Sequence, residues 1–419
     1  MDKVILGSSL IYYLFSFLGI SYIHLFIIVC SLFTLLIIWK SNAIQENDVS
    51  LAVLLFSLIA LGISLPLFEN DHFRYFFEGK LFLEGVNIYR LSPQEFLLGA
   101  ETIFRDNLGF PDVPSIYGPF AHIFHGLTFS LFGFSGGLFF IKLLYLLTFI
   151  FLWKKFSSKT LLLFCLPFLT KEFFNSIHLD FFAVLFFMVG INQFQKNKYY
   201  RGLVLIFLCL LIKPTGFIAL PLVFLFLYKQ MDFKKLSVCT LPFFLYAFFV
   251  STWPSITIFA KYWEWNSGFA KLLEFISPYL ASWSSLIIPL CFSAMIGTIH
   301  LKRSEWSIND LKIELGLLFL IQILFSQTVN SWYLAWPLGF FLLAEEKSPI
   351  VLIALIWPLC YAPWLGNDSV IFYTATFHIS GLLVFIHVLI KYLFNINFFK
   401  TALNLFFPFG RKIFTGDQL

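Results

Sequence analysis

The sequence predicts an all-α, polytopic membrane protein of about 12 to 14 membrane segments, and three observations lead there. Hydrophobic residues make up 59% of the 419 residues and charged ones 12%, with a mean hydropathy of +0.86, more apolar surface than a soluble core can hide. Lysine and arginine recur in short loops between apolar runs, the pattern that orients helices with basic loops in the cytoplasm. The other polar residues gather in the alternate loops, which fall outside. The net charge of +5 is small and scattered over helix ends, so membrane lipids rather than nucleic acid are the expected surroundings. The cysteines, Cys30, Cys165, Cys209, Cys239, Cys291 and Cys360, lie in apolar runs without close pairing, which indicates neither a disulfide framework nor a metal cluster.

The chain reads as a single integral-membrane domain, residues 1–419, in four stretches: N-terminal helices 1–68, an external loop 69–118, a helical bundle 119–391 and a cytoplasmic tail 392–419. Lys3 followed by apolar residues resembles a signal peptide, but no small-x-small cleavage site follows, so a retained first helix is expected. Residues 4–20 and 22–39 form a hairpin. Residues 49–67 then cross outward and deliver Asp71, Arg74 and Glu78 to the membrane rim, among Phe73, Tyr75, Phe76, Phe77 and Tyr89. Such rings populate the interface and also form platforms for sugars. Glu78 reads as a surface charge.

The external loop is long for a casual connection. Within it Ser92, Pro93, Gln94 and Glu95 form a capping box, and Phe96, Leu97, Ala100, Ile103 and Phe104 mark one apolar face, predicting a helix on the membrane surface. Tyr117, Gly118 and Pro119 open the next apolar run. Leaving Lys154 inside makes residues 120–132 a partial or tilted segment and 138–153 the crossing. The run from Thr160 crosses outward and ends in Lys171, Glu172, Asn175, His178 and Asp180. If this stretch is helical, Lys171, Asn175 and His178 share one face and Glu172, Ser176 and Asp180 another.

Only 27 residues lie between Arg201 and Lys229, too few for two full spans of about 20 residues, so the hairpin turns at Lys213, Pro214 and Thr215. Lys213 then sits in the outer half of the membrane, where an ammonium group wants an anion. A lipid phosphate and a partner carboxylate both suit it, with snorkelling towards the headgroups as the alternative. Residues 236–250 exit, and 251–278, with Trp253, Lys261 and Trp265, read as another surface helix. Residues 279–299 and 315–326 follow, the latter leading into Gln327, Asn330, Trp332 and Tyr333. Two last runs, 350–362 and 370–390, bracket Trp364, Asn367 and Asp368 outside.

Polar residues collected on one face suggest chemistry on a substrate whose other end lies in lipid. A lipid-linked oligosaccharide transporter or flippase is the alternative, but it should scatter polar groups along broken helices of two repeated halves, and no such repeat is visible. In order along the chain stand Asp71, Arg74, Tyr75, then Gly85, Asn87 and Tyr89 as a G-x-N-x-Y turn, Tyr117-Gly118-Pro119, Lys171 to Asp180, Lys213-Pro214 and Trp332-Tyr333. This series resembles the GT-C superfamily of integral-membrane glycosyltransferases, which use polyprenyl-phosphate sugars, and especially its bacterial mannosyltransferase-like members.

The resemblance implies transfer of a hexose, mannose among the candidates, from a polyprenyl-phosphate donor to a glycan or glycolipid acceptor. It places the work on the extracytoplasmic face of the bacterial inner membrane. Asp71 would be the general base and His178 a second catalytic residue. Arg74, Tyr75, Glu172, Asp180, Lys213, Trp332 and Tyr333 would bind substrate, with Arg74, Lys213 and His178 supplying positive charge to the departing phosphate. Asp180 could orient His178. Direct attack at the sugar C1 would invert configuration, whereas Glu172 or Asp180 as a second carboxylate would allow a covalent intermediate. No cofactor is expected, and because His72 and Phe73 follow Asp71 there is no Asp-x-Asp pair to hold a divalent metal. The whole reading requires Asp71, His178 and Lys213 to share one site.

Overall fold

A computed structural model of the chain describes residues 70–155, 170–262, 267–302, 305–346 and 369–394, with the single positions 66, 349, 353 and 360. The expected crossings at 4–20, 22–39 and 49–67, the run 160–169, most of 350–362, the positions Trp265, Trp364, Asn367 and Asp368, and the tail beyond 394 lie outside the described residues. The protein is an all-α polytopic membrane protein. Among the described residues four helices are long and apolar enough to cross a membrane, and several shorter apolar helices stand beside them.

The chain order is α1 (Asp71–Leu83), a 3₁₀ turn (Pro93–Gly99), α2 (Thr102–Arg105), α3 (Pro119–Lys155), a wide π-type turn (Thr170–Asn175), α4 (Asp180–Gln195) and α5 (Tyr199–Ile212). A second 3₁₀ turn (Pro214–Ala219) leads into α6 (Leu220–Gln230), α7 (Phe233–Ser251), α8 (Pro254–Tyr262), α9 (Gly268–Glu274), α10 (Pro278–Lys302) and α11 (Ile308–Leu324). A third 3₁₀ turn (Ser331–Leu334) opens α12 (Ala335–Leu343), and α13 (Ser369–Phe394) ends the described chain.

Sequence pattern explains which helices face lipid. In α7, Leu236, Thr240, Phe243, Tyr246 and Val250 are buried at helical spacing, while Val238, Leu241, Phe244, Leu245 and Phe248 on the other side are exposed. Exposed apolar residues on so long a helix suit hydrocarbon. By contrast α11 is buried on every side: Leu311 to Leu320 are buried without exception, the polar Lys312 and Glu314 among them. It packs against α10, α12 and α13 and forms the middle of the bundle.

The partial segment and crossing expected at 120–132 and 138–153 are the two arms of α3. They are joined at Gly133, whose φ of 66° and ψ of −173° no helical residue adopts. Nine residues along a straight helix would separate Thr128 from Gly137 by about 13 Å. Instead a methyl group built on Gly137 would stand 3.4 Å from Thr128 Cγ2, so the arms fold towards each other. Helix α1 packs along this bend, with Phe76 against Phe129 and Phe134.

Two expectations are corrected here. The stretch 92–104 is not one amphipathic surface helix: the capping box of Ser92 and Glu95 forms, but Ala100 is extended and splits the segment into a 3₁₀ turn and the single turn α2. Likewise 251–278 holds two short helices, α8 and α9, rather than one. The return helix α12, not singled out in the sequence, follows directly on Trp332 and Tyr333.

Where α1 crosses α3, backbone meets backbone. A Cβ at Gly126 would lie 2.3 Å from the Gly79 carbonyl oxygen, and one at Gly79 would lie 2.5 Å from the Gly126 nitrogen. Gly126→Ala is therefore expected to cost about 1–3 kcal/mol through overpacking. Thermal unfolding of the detergent-purified protein should show a midpoint several degrees lower, while Gly99→Ala, with open space around it, leaves the midpoint in place.

Candidate active site

The centre of the candidate site is a stretch where helix gives way to turn. The π-type turn closes with Ser176 N–H donating to the Lys171 carbonyl (2.8 Å), and His178 N–H donates to the Glu172 carbonyl (3.1 Å). Ile177 between them has φ of 56°, a left-handed conformation costly for a β-branched residue. The helical face split expected for 171–180 therefore does not exist, because regular helix begins only at Asp180. From α3 the Tyr145 hydroxyl donates to the His178 carbonyl at 2.8 Å and holds the turn in place.

His178 has no exposed surface and touches four elements. Its Nε2 lies 3.2 Å from Glu172 Oε2, its Nδ1 lies 3.1 Å from the Tyr75 hydroxyl of α1, and Trp332 stacks on its ring at 3.7 Å between centroids. Asp71 Oδ2 stands 4.0 Å from Nδ1. Burial raises the Tyr75 phenol well above its ordinary pKa, with Tyr117 and Asp71 adding to it, so Tyr75 keeps its proton. The bonds then run in one direction: Tyr117 O–H to Tyr75 at 3.4 Å, Tyr75 O–H to His178 Nδ1, and His178 Nε2–H to Glu172. Burial alone would raise Glu172, but Lys171 and His178 hold its carboxyl below the usual range. Lys171 Nζ is 3.2 Å away, and Ser331 donates to Glu172 Oε1 at 2.5 Å.

The turn expected at Lys213 is present, since α5 stops at Ile212 and Lys213 is extended. Of the two anions considered for Lys213, the carboxylate is found: its Nζ lies 2.5 Å from Asp180 Oδ2. Trp336 Nε1 donates to the other oxygen of Asp180 at 2.9 Å, and the Tyr333 ring lies 4.6 Å from the ammonium. Asp180 thus does not orient His178, as expected from sequence; Glu172 does, because the turn at 176–178 swings Asp180 onto α4 and towards Lys213. Gly118 N–H donates to the Ile212 carbonyl (2.8 Å), fastening the Tyr117 segment beside the Lys213 turn.

Glu78 is the clearest correction. It is fully buried rather than a surface charge, 2.6 Å from Arg74 Nε one helical turn away, and it accepts from Ser115 Oγ at 2.6 Å. The remaining Arg74 nitrogens donate to the carbonyls of Phe110 (2.9 Å), Val113 (2.6 Å) and Pro114 (3.2 Å). The Arg74 guanidinium, expected at a substrate phosphate, holds the external loop against α1.

Asp71, His178 and Lys213 thus belong to one network with Tyr75, Glu172, Asp180, Trp332 and Tyr333. Of these Asp71, with a side chain 21% exposed, and Tyr333 reach the surface, while the rest form a closed wall behind them. Sequence reasoning missed Ser331, Trp336 and Tyr145. Trp336 lies four residues after Trp332, a spacing that gave a signal; a serine and a tyrosine in apolar runs gave none. Among the described residues no group of three or more His, Cys, Asp or Glu side chains converges as a metal site.

Removing one partner of a buried ion pair leaves the other charge uncompensated, at roughly 3–5 kcal/mol. Glu78→Ala is therefore expected to destabilise the protein on that scale and to open 106–117 to limited proteolysis. The double variant Arg74→Met, Glu78→Ala should recover part of the loss in unfolding experiments, because no lone charge is left.

Comparison with known proteins adds a family to this geometry. No curated protein and no solved structure matched the chain. A family model described as alpha-(1->6)-mannopyranosyltransferase, N-terminal domain, matches residues 14–229, slightly more than half the chain and the part that carries Asp71, Tyr75, Glu172, His178, Asp180 and Lys213. A membrane-embedded helical chain with a polar cluster at the ends of its helices, matched over that length, belongs to the mannopyranosyltransferase family and is a glycosyltransferase.

Proposed function

We propose that the protein transfers mannose from a polyprenyl-phosphate donor to a glycan or glycolipid acceptor, at the extracytoplasmic face of a bacterial inner membrane, with Asp71 as general base. The observation that carries this reading is the difference in exposure within one network. Asp71 reaches the surface, while Glu172, His178 and Asp180 beside it are closed off and held by fixed partners. A base must touch the acceptor hydroxyl, and Asp71 is the carboxylate of this network placed to do so. The basic loops after α4, α6 and α10 support the sidedness, since the cluster lies at the other ends of these helices.

In the proposed reaction the acceptor hydroxyl gives its proton to Asp71 while its oxygen attacks the sugar C1. The bond from C1 to the phosphate oxygen breaks, and the lipid phosphate leaves with the electron pair. His178 does not touch substrate; it is a positioning residue that accepts from the Tyr75 hydroxyl beside Asp71 and is itself fixed by Glu172. The half-buried Tyr333 ring, with the Lys213–Asp180 pair behind it, lines the side of the site from which the phosphate departs. Glu172 and Asp180, each buried in an ion pair, are poorly placed as nucleophiles, which favours direct displacement with inversion. Membership of a mannosyltransferase family favours transfer over the transporter alternative.

The test is a transfer assay on the detergent-purified protein, with radiolabelled polyprenyl-phosphate mannose and membrane lipid extract. Wild type is expected to form a mannosylated product of inverted anomeric configuration. Asp71→Asn should fold normally yet lose roughly 100- to 10,000-fold in rate, the usual contribution of a general base. Equal rates for the two proteins would reject Asp71 as the base; a product of retained configuration would reject direct displacement.

A further inference from the structure

The junction of α9 and α10 carries large apolar side chains that the bundle leaves uncovered. Leu272, Phe275, Ile276 and Tyr279 follow the spacing i, i+3, i+4 and i+7 of one helical face, and they are between 58% and 87% exposed. The helical path runs on past α9, since Ser277 N–H donates to the Leu273 carbonyl at 2.9 Å. The other side of α9 is fixed to the bundle. Ala270 is buried, the Phe269 ring stacks on Phe325 at 5.3 Å between centroids, and Gly268 N–H donates to His378 Nε2 of α13 at 3.2 Å. A Cβ at Gly268 would stand 2.3 Å from the His378 ring, so the absence of a side chain lets α9 approach this closely. Lys271 and Glu274 pair at 2.7 Å beside the stripe.

The surroundings of the stripe say what covers it. It continues into the exposed apolar side of α10 at Leu286, Ile287 and Leu290, on a helix long and apolar enough to span a membrane. Depth agrees with this. At 1.5 Å per residue, a hydrocarbon layer of about 30 Å takes about 20 residues, so a count from the basic end of α10 at Lys302 reaches the far boundary near Ser282. Tyr279 stands just past that boundary, where tyrosines of membrane proteins gather, and the rest of the stripe lies at headgroup level. In water it would leave a row of large apolar side chains hydrated. Laid in the interface, the row is buried while Lys271 and Glu274 stay with the headgroups.

We propose that the α9–α10 junction is a foot seated in the lipid leaflet at the N-terminal end of α10, and that it holds the neighbouring part of the site at headgroup depth. The connection runs through the end of α11. Phe269 stacks on Phe325, and Ser284 Oγ of α10 donates to the Phe325 carbonyl at 2.5 Å, just before the turn that carries Trp332 and Tyr333. A phosphate whose lipid chain lies in the same leaflet is then met at its own depth. That this leaflet is the outer one, and this phosphate the donor's, rests on the glycosyltransferase reading; the seating of the stripe in lipid does not.

The test uses the full-length protein in phospholipid nanodiscs, with the photoreactive substitution Ile276→p-benzoylphenylalanine and mass spectrometry of the cross-links. Adducts with phospholipid acyl chains are expected, as they are for the same probe at Leu290 on α10. Adducts with a second copy of the chain only, or no lipid adduct while the probe at Leu290 gives one, would overturn the seating. The double variant Phe275→Asp, Ile276→Asp, at exposed positions, should keep its unfolding midpoint and its kcat. Its KM for long-chain polyprenyl-phosphate mannose should rise roughly tenfold, the effect of withdrawing one large apolar side chain from lipid, with KM for a water-soluble short-chain analogue unchanged. An unchanged KM for the long-chain donor, or an equal rise for both donors, would overturn the positioning role. Lipid adducts in a protein that transfers no mannose would keep the foot and reject the donor reading alone.

Discussion

The ion pair between Lys213 and Asp180 is the tie on which the arrangement of the candidate site depends. Two charges at the ends of apolar helices are tolerable only when they meet, because an unpaired one would lose its hydration without compensation. Their pairing brings the break after α5 to the first turn of α4. Trp336, bonded to the second oxygen of Asp180, adds the start of α12. Once these three elements are joined, Trp332 and Tyr333 on the turn before α12 stand over His178 and Lys213.

Around that tie the site has two layers with different physics. The inner layer, Lys171, Glu172, His178, Asp180 and Lys213, balances its charges internally and is closed to water. Such a layer is preorganised: its dipoles are already oriented and need not rearrange as charge develops nearby. The outer layer is Asp71 and Tyr333, held from behind and open in front. Arg74 and Glu78 do parallel work for the external loop. Their buried pair gathers the carbonyls of Phe110, Val113 and Pro114 against α1, and so fixes the helix that carries Asp71 and Tyr75.

Helix α1 carries the exposed carboxylate of the site. Its first turn contributes to the polar cluster, and Gly79 in its middle lies directly on the α3 backbone at Gly126. Close approach without side chains between them makes the crossing rigid. The position of Asp71 is therefore set by a helix with little freedom to slide.

Much of this was legible in the sequence, and the reason is local. Apolar length, basic loop ends and the short interval from Arg201 to Lys229 are properties of contiguous residues, so they determined the helical membrane class, the turn at Lys213 and the break in α3. The order of motifs likewise pointed to the family and to the residues that meet, Arg74 excepted. What only the tertiary structure decided was who pairs with whom. Glu78 looked like a surface charge because one turn of helix cannot show that a loop residue, Ser115, will cover it. Asp180 stood two residues from His178 yet pairs with Lys213, 33 residues on, because regular helix begins only at Asp180, after the left-handed Ile177 has turned the chain. Partner choice is settled by burial and by backbone direction, and both are set by contacts distant along the chain.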